Sequence, residues 1–81
     1  MKVTILTPDK EVYNGEANSV KVPGINGQFE ILNNHAPIIS ALMEGEVRLI
    51  DKTGARQTFT IKSGFVEVIN NEVSVLAQGV A

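Results

Sequence analysis

A two-residue rhythm of apolar side chains runs through most of this chain. Apolar and polar residues alternate at Val20/Val22 in SVKV, Val47/Leu49 in EVRLI, Phe59/Ile61 in TFTIK and Val73/Val75 in EVSVL. Successive side chains of a strand point to opposite faces, so this rhythm suits strands that bury one face and wet the other. A helix needs an apolar stripe repeating about every 3.6 residues, and no window sustains one. The nearest, PIISALMEG, is opposed by the adjacent β-branched pair Ile38-Ile39 and stopped by Gly45.

Turn-forming residues separate these runs: Thr7-Pro8-Asp9-Lys10, Asn14-Gly15, Pro23-Gly24, Asn26-Gly27, Asp51-Lys52-Thr53-Gly54 and Asn70-Asn71. Each supplies a residue that tolerates positive φ or presets a turn. The pattern predicts strands near 2–7, 10–14, 17–22, 28–32, 37–42, 46–51, 56–62, 65–69 and 72–77. The fold class is therefore all-β, an antiparallel β-sandwich or flattened barrel of about ten short strands. The 81 residues suit one domain, in which roughly 60 to 65% of the unfolded surface becomes buried.

A net charge of −2 with singly scattered lysines and arginines provides no basic stripe, which argues against nucleic acid as a partner. The absence of cysteine removes disulfides and thiolate ligands. Met1-Lys2 leads straight into VTILTP, and no apolar run has the length of a signal peptide or membrane span. No direct membrane insertion is expected.

Chemistry finds little support. The single histidine, His35, and the scattered carboxylates have no metal-ligand spacing. None of Ser19, Ser40, Ser63 and Ser74 sits in a nucleophile elbow. PGINGQ lacks the Lys-Ser/Thr and helix of a phosphate loop. No catalytic residue, metal, cofactor or small-molecule ligand is expected. Lys52, in IDKTGA at a hairpin tip, stands where a biotinyl or lipoyl carrier displays its modified lysine, but the flanking pattern of those carriers is missing. A carrier domain modified at Lys52 is the alternative reading.

Two features point toward binding. Val3, Ile5 and Leu6, then Ile38, Ile39 and Leu42, then Phe65, Val66, Val68 and Ile69 are apolar on both strand faces, so part of the outward surface is expected to be a docking patch. His35 precedes Ala36-Pro37, where the backbone is biased toward extended geometry. An imidazole buried there without partners would cost about 1–3 kcal/mol. It is expected to be hydrogen-bonded or at a surface.

Read in order, the TP turn after the first strand, VYNGEA, PGINGQFEIL, HAPI, GEV and GFVEVINNEVSVLA cover essentially the whole chain. The set resembles the amino-terminal domain of the epsilon subunit of F-type ATP synthase, called delta in mitochondria. That resemblance implies a ten-stranded β-sandwich on the rotor's central stalk, without chemistry of its own, bridging the gamma subunit and the membrane c-ring during proton-driven ATP synthesis. It implies a peripheral location on the cytoplasmic face of a bacterial inner membrane. By position, Ile25, Asn26, Gly27 and Gln28 are implied to meet the c-ring, and Thr7, His35, Ala36 and Pro37 the gamma subunit. The family often has an acid where Gln28 stands, so a neutral hydrogen bond is expected there in place of an ion pair. Many relatives continue into a two-helix hairpin that inhibits hydrolysis and in some binds ATP. This sequence stops at Ala81 and is expected to be a single domain over 1–81 without that brake or nucleotide site.

Overall fold

A computed structural model describes all residues, Met1–Ala81. Eight strands follow one another: β1 (Lys2–Leu6), β2 (Glu11–Gly24), β3 (Gly27–Leu32), β4 (Ile38–Leu42), β5 (Gly45–Asp51), β6 (Arg56–Ile61), β7 (Ser63–Ile69) and β8 (Glu72–Gln78). PIISALMEG becomes β4 and the turn that follows it.

The pairings build two layers. One runs β4–β7–β8–β1 and continues into the first half of β2; the other runs β3–β2–β5–β6 through the second half of β2. A Gly24–Leu42 bridge joins the layers at a corner. Beyond β8 the chain turns back, and Ala81 exchanges backbone hydrogen bonds with Thr60 at 2.9 and 3.4 Å, covering part of the β6 edge.

The nine predicted segments become eight strands because 10–14 and 17–22 are one strand, so the total falls short of the expected ten or so. Asn14-Gly15, expected as a turn, lies inside β2 opposite Thr4 and Val3 of β1. The register against β5 slips between Ala17 and Ser19, leaving Asn18 as the extra residue of a bulge. Ala17 points inward before the slip, and Val20, Val22 and Gly24 after it, whereas Ser19, though buried, has the outward parity of Lys21 and bonds Glu30 there. The bulge thus re-aims the alternation as β2 passes between layers. A second departure from the antiparallel expectation is β1 beside β8, paired in parallel from Lys2↔Glu72 to Leu6↔Leu76.

The core holds 16 buried apolar residues, among them Val20, Val22, Val47, Leu49, Ile61, Val73 and Val75 of the alternating runs. Its fully buried side chains are dominated by β-branched valine and isoleucine, stiff residues that pack well on a pleated surface. Tyr13, Phe29 and Phe59 pack only partly buried at its rim. Tyr13 and Phe59 meet edge to face at 6.4 Å. Gly64 is required by the close approach of β8, since a Cβ there would run into the Leu76 carbonyl.

Candidate interaction surfaces

The expected docking patch divides by strand parity. Val3, Ile5, Leu42, Val66 and Val68 point inward and are buried. Ile39, Phe65 and Ile69 point outward, exposed by 73%, 57% and 49%, and Leu76, which the sequence analysis passed over, joins them at 53%. Registers place these residues side by side: Ala41 faces Phe65, Phe65 faces Leu76, and Leu76 faces Leu6. One apolar row therefore crosses four strands, about 15 Å at the usual strand spacing. Leu6, Ala41, Phe65 and Leu76 line a shallow concavity of about 470 Å³, with Thr7 and Pro8 at its border. A smaller hollow beside it contains Pro37, Ile39 and Ile69.

The opposite outward face is polar. Lys21, Arg48 and Thr58 lie side by side on β2, β5 and β6, and Glu30 faces Lys21 from β3. Arg48 donates to Glu46 at 2.9 Å, and the Ser19 hydroxyl donates to Glu30 at 2.6 Å. Arg48–Glu46 is the ion pair of this face.

The sequence-predicted contact residues fall at two ends. Ile25, Asn26, Gly27 and Gln28 form the exposed β2–β3 tip. Gly27 has φ +127° and open space where a Cβ would stand, a conformation that favours glycine. The β4–β5 turn lies beside this tip: Ile25 N–H donates to the Ala41 carbonyl and Met43 N–H to the Pro23 carbonyl. Ile25 and Met43 are both more than half exposed, at 58% and 51%. Met43 had escaped the sequence analysis because nothing local marks a turn residue as a neighbour of another turn.

His35, Ala36 and Pro37 lie at the other end of β4. The five residues of β4 separate the two places by about 17 Å. Three hydrogen bonds hold the loop: His35 N–H donates to the Leu32 carbonyl at 3.2 Å, Asn34 N–H to Asn71 Oδ1 at 2.7 Å, and the Met1 amine to Asn33 Oδ1 at 2.6 Å. The His35 ring is partly exposed, with Nδ1 2.7 Å from the Ala36 carbonyl. A carbonyl only accepts, so Nδ1 carries a proton and Nε2 is left for another partner. Thr7 is not beside His35 but near the tip end, because Leu6 faces Leu76 while Gly64, Leu42 and Gly24 continue the next row. Its Oγ1 already accepts from Asp9 and Lys10 N–H and donates to the Lys10 carbonyl, closing the β1–β2 turn.

Over residues 1–81 the chain matches the family described as "ATP synthase, Delta/Epsilon chain, beta-sandwich domain". The chain belongs to that family. It is 44% identical to the ATP synthase epsilon chain of Chlorobaculum tepidum over 77 residues, covering 95% of this chain and 88% of that one. With the epsilon chain of Chlorobium limicola it shares 40% over 80 residues, covering 99% and 91%. Among solved structures, a chain of the Tetrahymena thermophila mitochondrial ATP synthase central stalk/c-ring has the same fold, with TM-score 0.85 at 19% identity; this chain spans 65% of it.

An epsilon-type chain is a non-catalytic subunit of the synthase. The carrier reading loses its support with this membership. Lys52 does lie at the β5–β6 turn, but that turn is organised by Asp51, whose Oδ1 accepts from Thr53 N–H, the Thr53 hydroxyl and Ala55 N–H. The Thr53 hydroxyl foremost, against an opposing effect of desolvation and with help from the backbone N–H groups of residues 53–55, holds the Asp51 carboxyl below its ordinary value. No helix is long and apolar enough to cross a membrane.

Proposed function

We propose that this domain couples the gamma subunit to the c-ring in the central stalk of an F-type ATP synthase. It works there peripherally, on the cytoplasmic face of a bacterial inner membrane, during proton-driven synthesis. The observation that carries the reading is the apolar row Leu6–Leu76–Phe65–Ala41, open on one face of a sandwich whose other face is polar. Contiguous exposed apolar surface of this kind marks a protein contact. In this reading gamma covers the row, with Thr7 and the His35-Ala36-Pro37 loop as its two borders. The Ile25-Asn26-Gly27-Gln28 tip reaches the polar loops of the ring.

Both relatives named above are epsilon chains, and the Tetrahymena fold relative comes from a central stalk/c-ring structure, which supports this placement. Packed interiors deform little, so a two-layer sandwich transmits torque better than a flexible segment. Two contacts on one rigid body also reinforce each other through effective concentration, so each alone can be weak.

The test is reconstitution of the synthase with Gln28→Arg. Proton-coupled ATP synthesis is expected to fall more than ATP hydrolysis by the detached catalytic sector. Equal losses in both assays would remove the ring contact. His35→Ala is expected to weaken capture of gamma with the fold intact, and unchanged capture would remove the loop from the gamma contact.

A further inference from the structure

We propose that Asn26 is a self-modification site, at which the Asn26-Gly27 tip slowly converts its side-chain amide to a carboxylate. The sequence contains two Asn-Gly pairs, Asn14-Gly15 and Asn26-Gly27, and the fold treats them differently. Glycine is the residue after which the reaction is least hindered, because no Cβ blocks the approach of its backbone nitrogen to the preceding side chain.

At the tip, Ile25, Asn26, Gly27 and Gln28 are all exposed, and the Asn26 carboxamide has no side-chain hydrogen bond. Gly27 has nothing within 4 Å of its Cβ position and belongs to Gly24–Gly27, the last pair of the β2–β3 ladder. The ends of a ladder open first. Asn14-Gly15 lies inside β2, where Gly15 faces Val3. Met1 and Ala17 exchange backbone bonds in both directions at 3.1 and 2.9 Å. Antiparallel pairs alternate, so Val3 and Gly15, two residues further along, form the next bonded pair, and the Gly15 N–H is held by Val3. The Tyr13 hydroxyl crowds the same glycine, 2.9 Å from its Cβ position. The remaining asparagines precede residues with side chains, and Asn33 and Asn71 have their Oδ1 atoms engaged.

In the reaction the Gly27 nitrogen attacks Asn26 Cγ. A C–N bond forms, the side-chain nitrogen leaves as ammonia with the Gly27 amide proton, and a cyclic succinimide remains. Water then opens either ring carbonyl, giving aspartate or isoaspartate at position 26. No oxidant or enzyme is needed. A neutral tip thereby gains one negative charge beside Gln28. The modification depends only on the tip's exposure; its effect on the ring contact rests on the function proposed above.

The test is peptide mass mapping of the full chain held in mildly alkaline buffer, native and in denaturant. Natively, the peptide containing Asn26 is expected to gain the amide-to-acid mass, in aspartate and isoaspartate forms, at least about tenfold faster than the Asn14 peptide, which must first open its ladder. In denaturant the two should convert at similar rates. Equal native rates, a faster Asn14, or a native Asn26 that stays intact while the denatured chain converts would overturn the proposal. If Asn26 converts but Asn26→Asp holds the ring as firmly as the unmodified chain, the ring contact of the tip fails and the modification site stands.

Discussion

The two outward faces of the sandwich obey the same strand alternation and carry opposite chemistry. Across β3, β2, β5 and β6 the outward residues include Glu30, Lys21, Arg48 and Thr58; across β4, β7, β8 and β1 they include Ala41, Phe65, Leu76 and Leu6. Both faces cover the same core, so folding alone does not call for the difference. The polar face is what a solvated sheet needs, whereas the apolar face leaves water-exposed surface that association can bury. Side chains inside the sandwich answer to stability, and in the proposed role those on the apolar exterior answer to a partner.

That division fixes how substitutions should sort. Ile31→Ala, at a fully buried position, should cost about 2–5 kcal/mol in urea unfolding through lost burial and a residual cavity. Phe65→Ala should leave stability within about 1 kcal/mol, the scale of a cross-strand pair. It should weaken gamma binding on the order of 30-fold, as expected for an aromatic anchor worth about 2 kcal/mol. If Phe65→Ala unfolded the domain while leaving gamma affinity unchanged, the apolar face would be structural.

On the polar face, Arg48→Ala removes an exposed ion pair with Glu46. It should change stability by no more than about 1 kcal/mol and leave gamma binding as it was. The smallest expected effect is at Asp51. Its folded value is depressed, so its contribution is present above the ordinary 3.8 and fades as pH falls through the lower folded value. The melting-temperature gap between the parent chain and Asp51→Asn should therefore narrow below pH 3.8; a gap that widened on acidification would reverse the sign.

Much of this was legible in order along the chain. The alternating runs mark Val20, Val22, Val47, Leu49, Phe59, Ile61, Val73 and Val75 as the inward set, and all are buried except Phe59, which packs partly buried at the rim. Asn70-Asn71 was readable as a hairpin turn and has φ 50° and 60° at the two residues, the conformation of a tight primed turn. Asn14-Gly15 misled because the same dipeptide fits an extended strand when a partner, here β1, pairs with it. The parallel union of β1 with β8 joins the two ends of the chain and leaves no local trace. Apolar residues at off-phase positions did signal a surface. Their contiguity, the contribution of Leu76, and the placement of Thr7 away from His35 all depend on register between distant strands.

The chain has no cysteine, so a single introduced thiol reports one position cleanly. Leu76→Cys and Thr58→Cys place such a thiol on the apolar and polar faces, and both parent residues are exposed. Maleimide labelling of each, first in the free chain and then in the assembled synthase, compares the faces directly. The account predicts that assembly shields the thiol at position 76 and leaves the one at 58 reactive. Equal reactivity at both in the complex, or shielding at 58 alone, would contradict it.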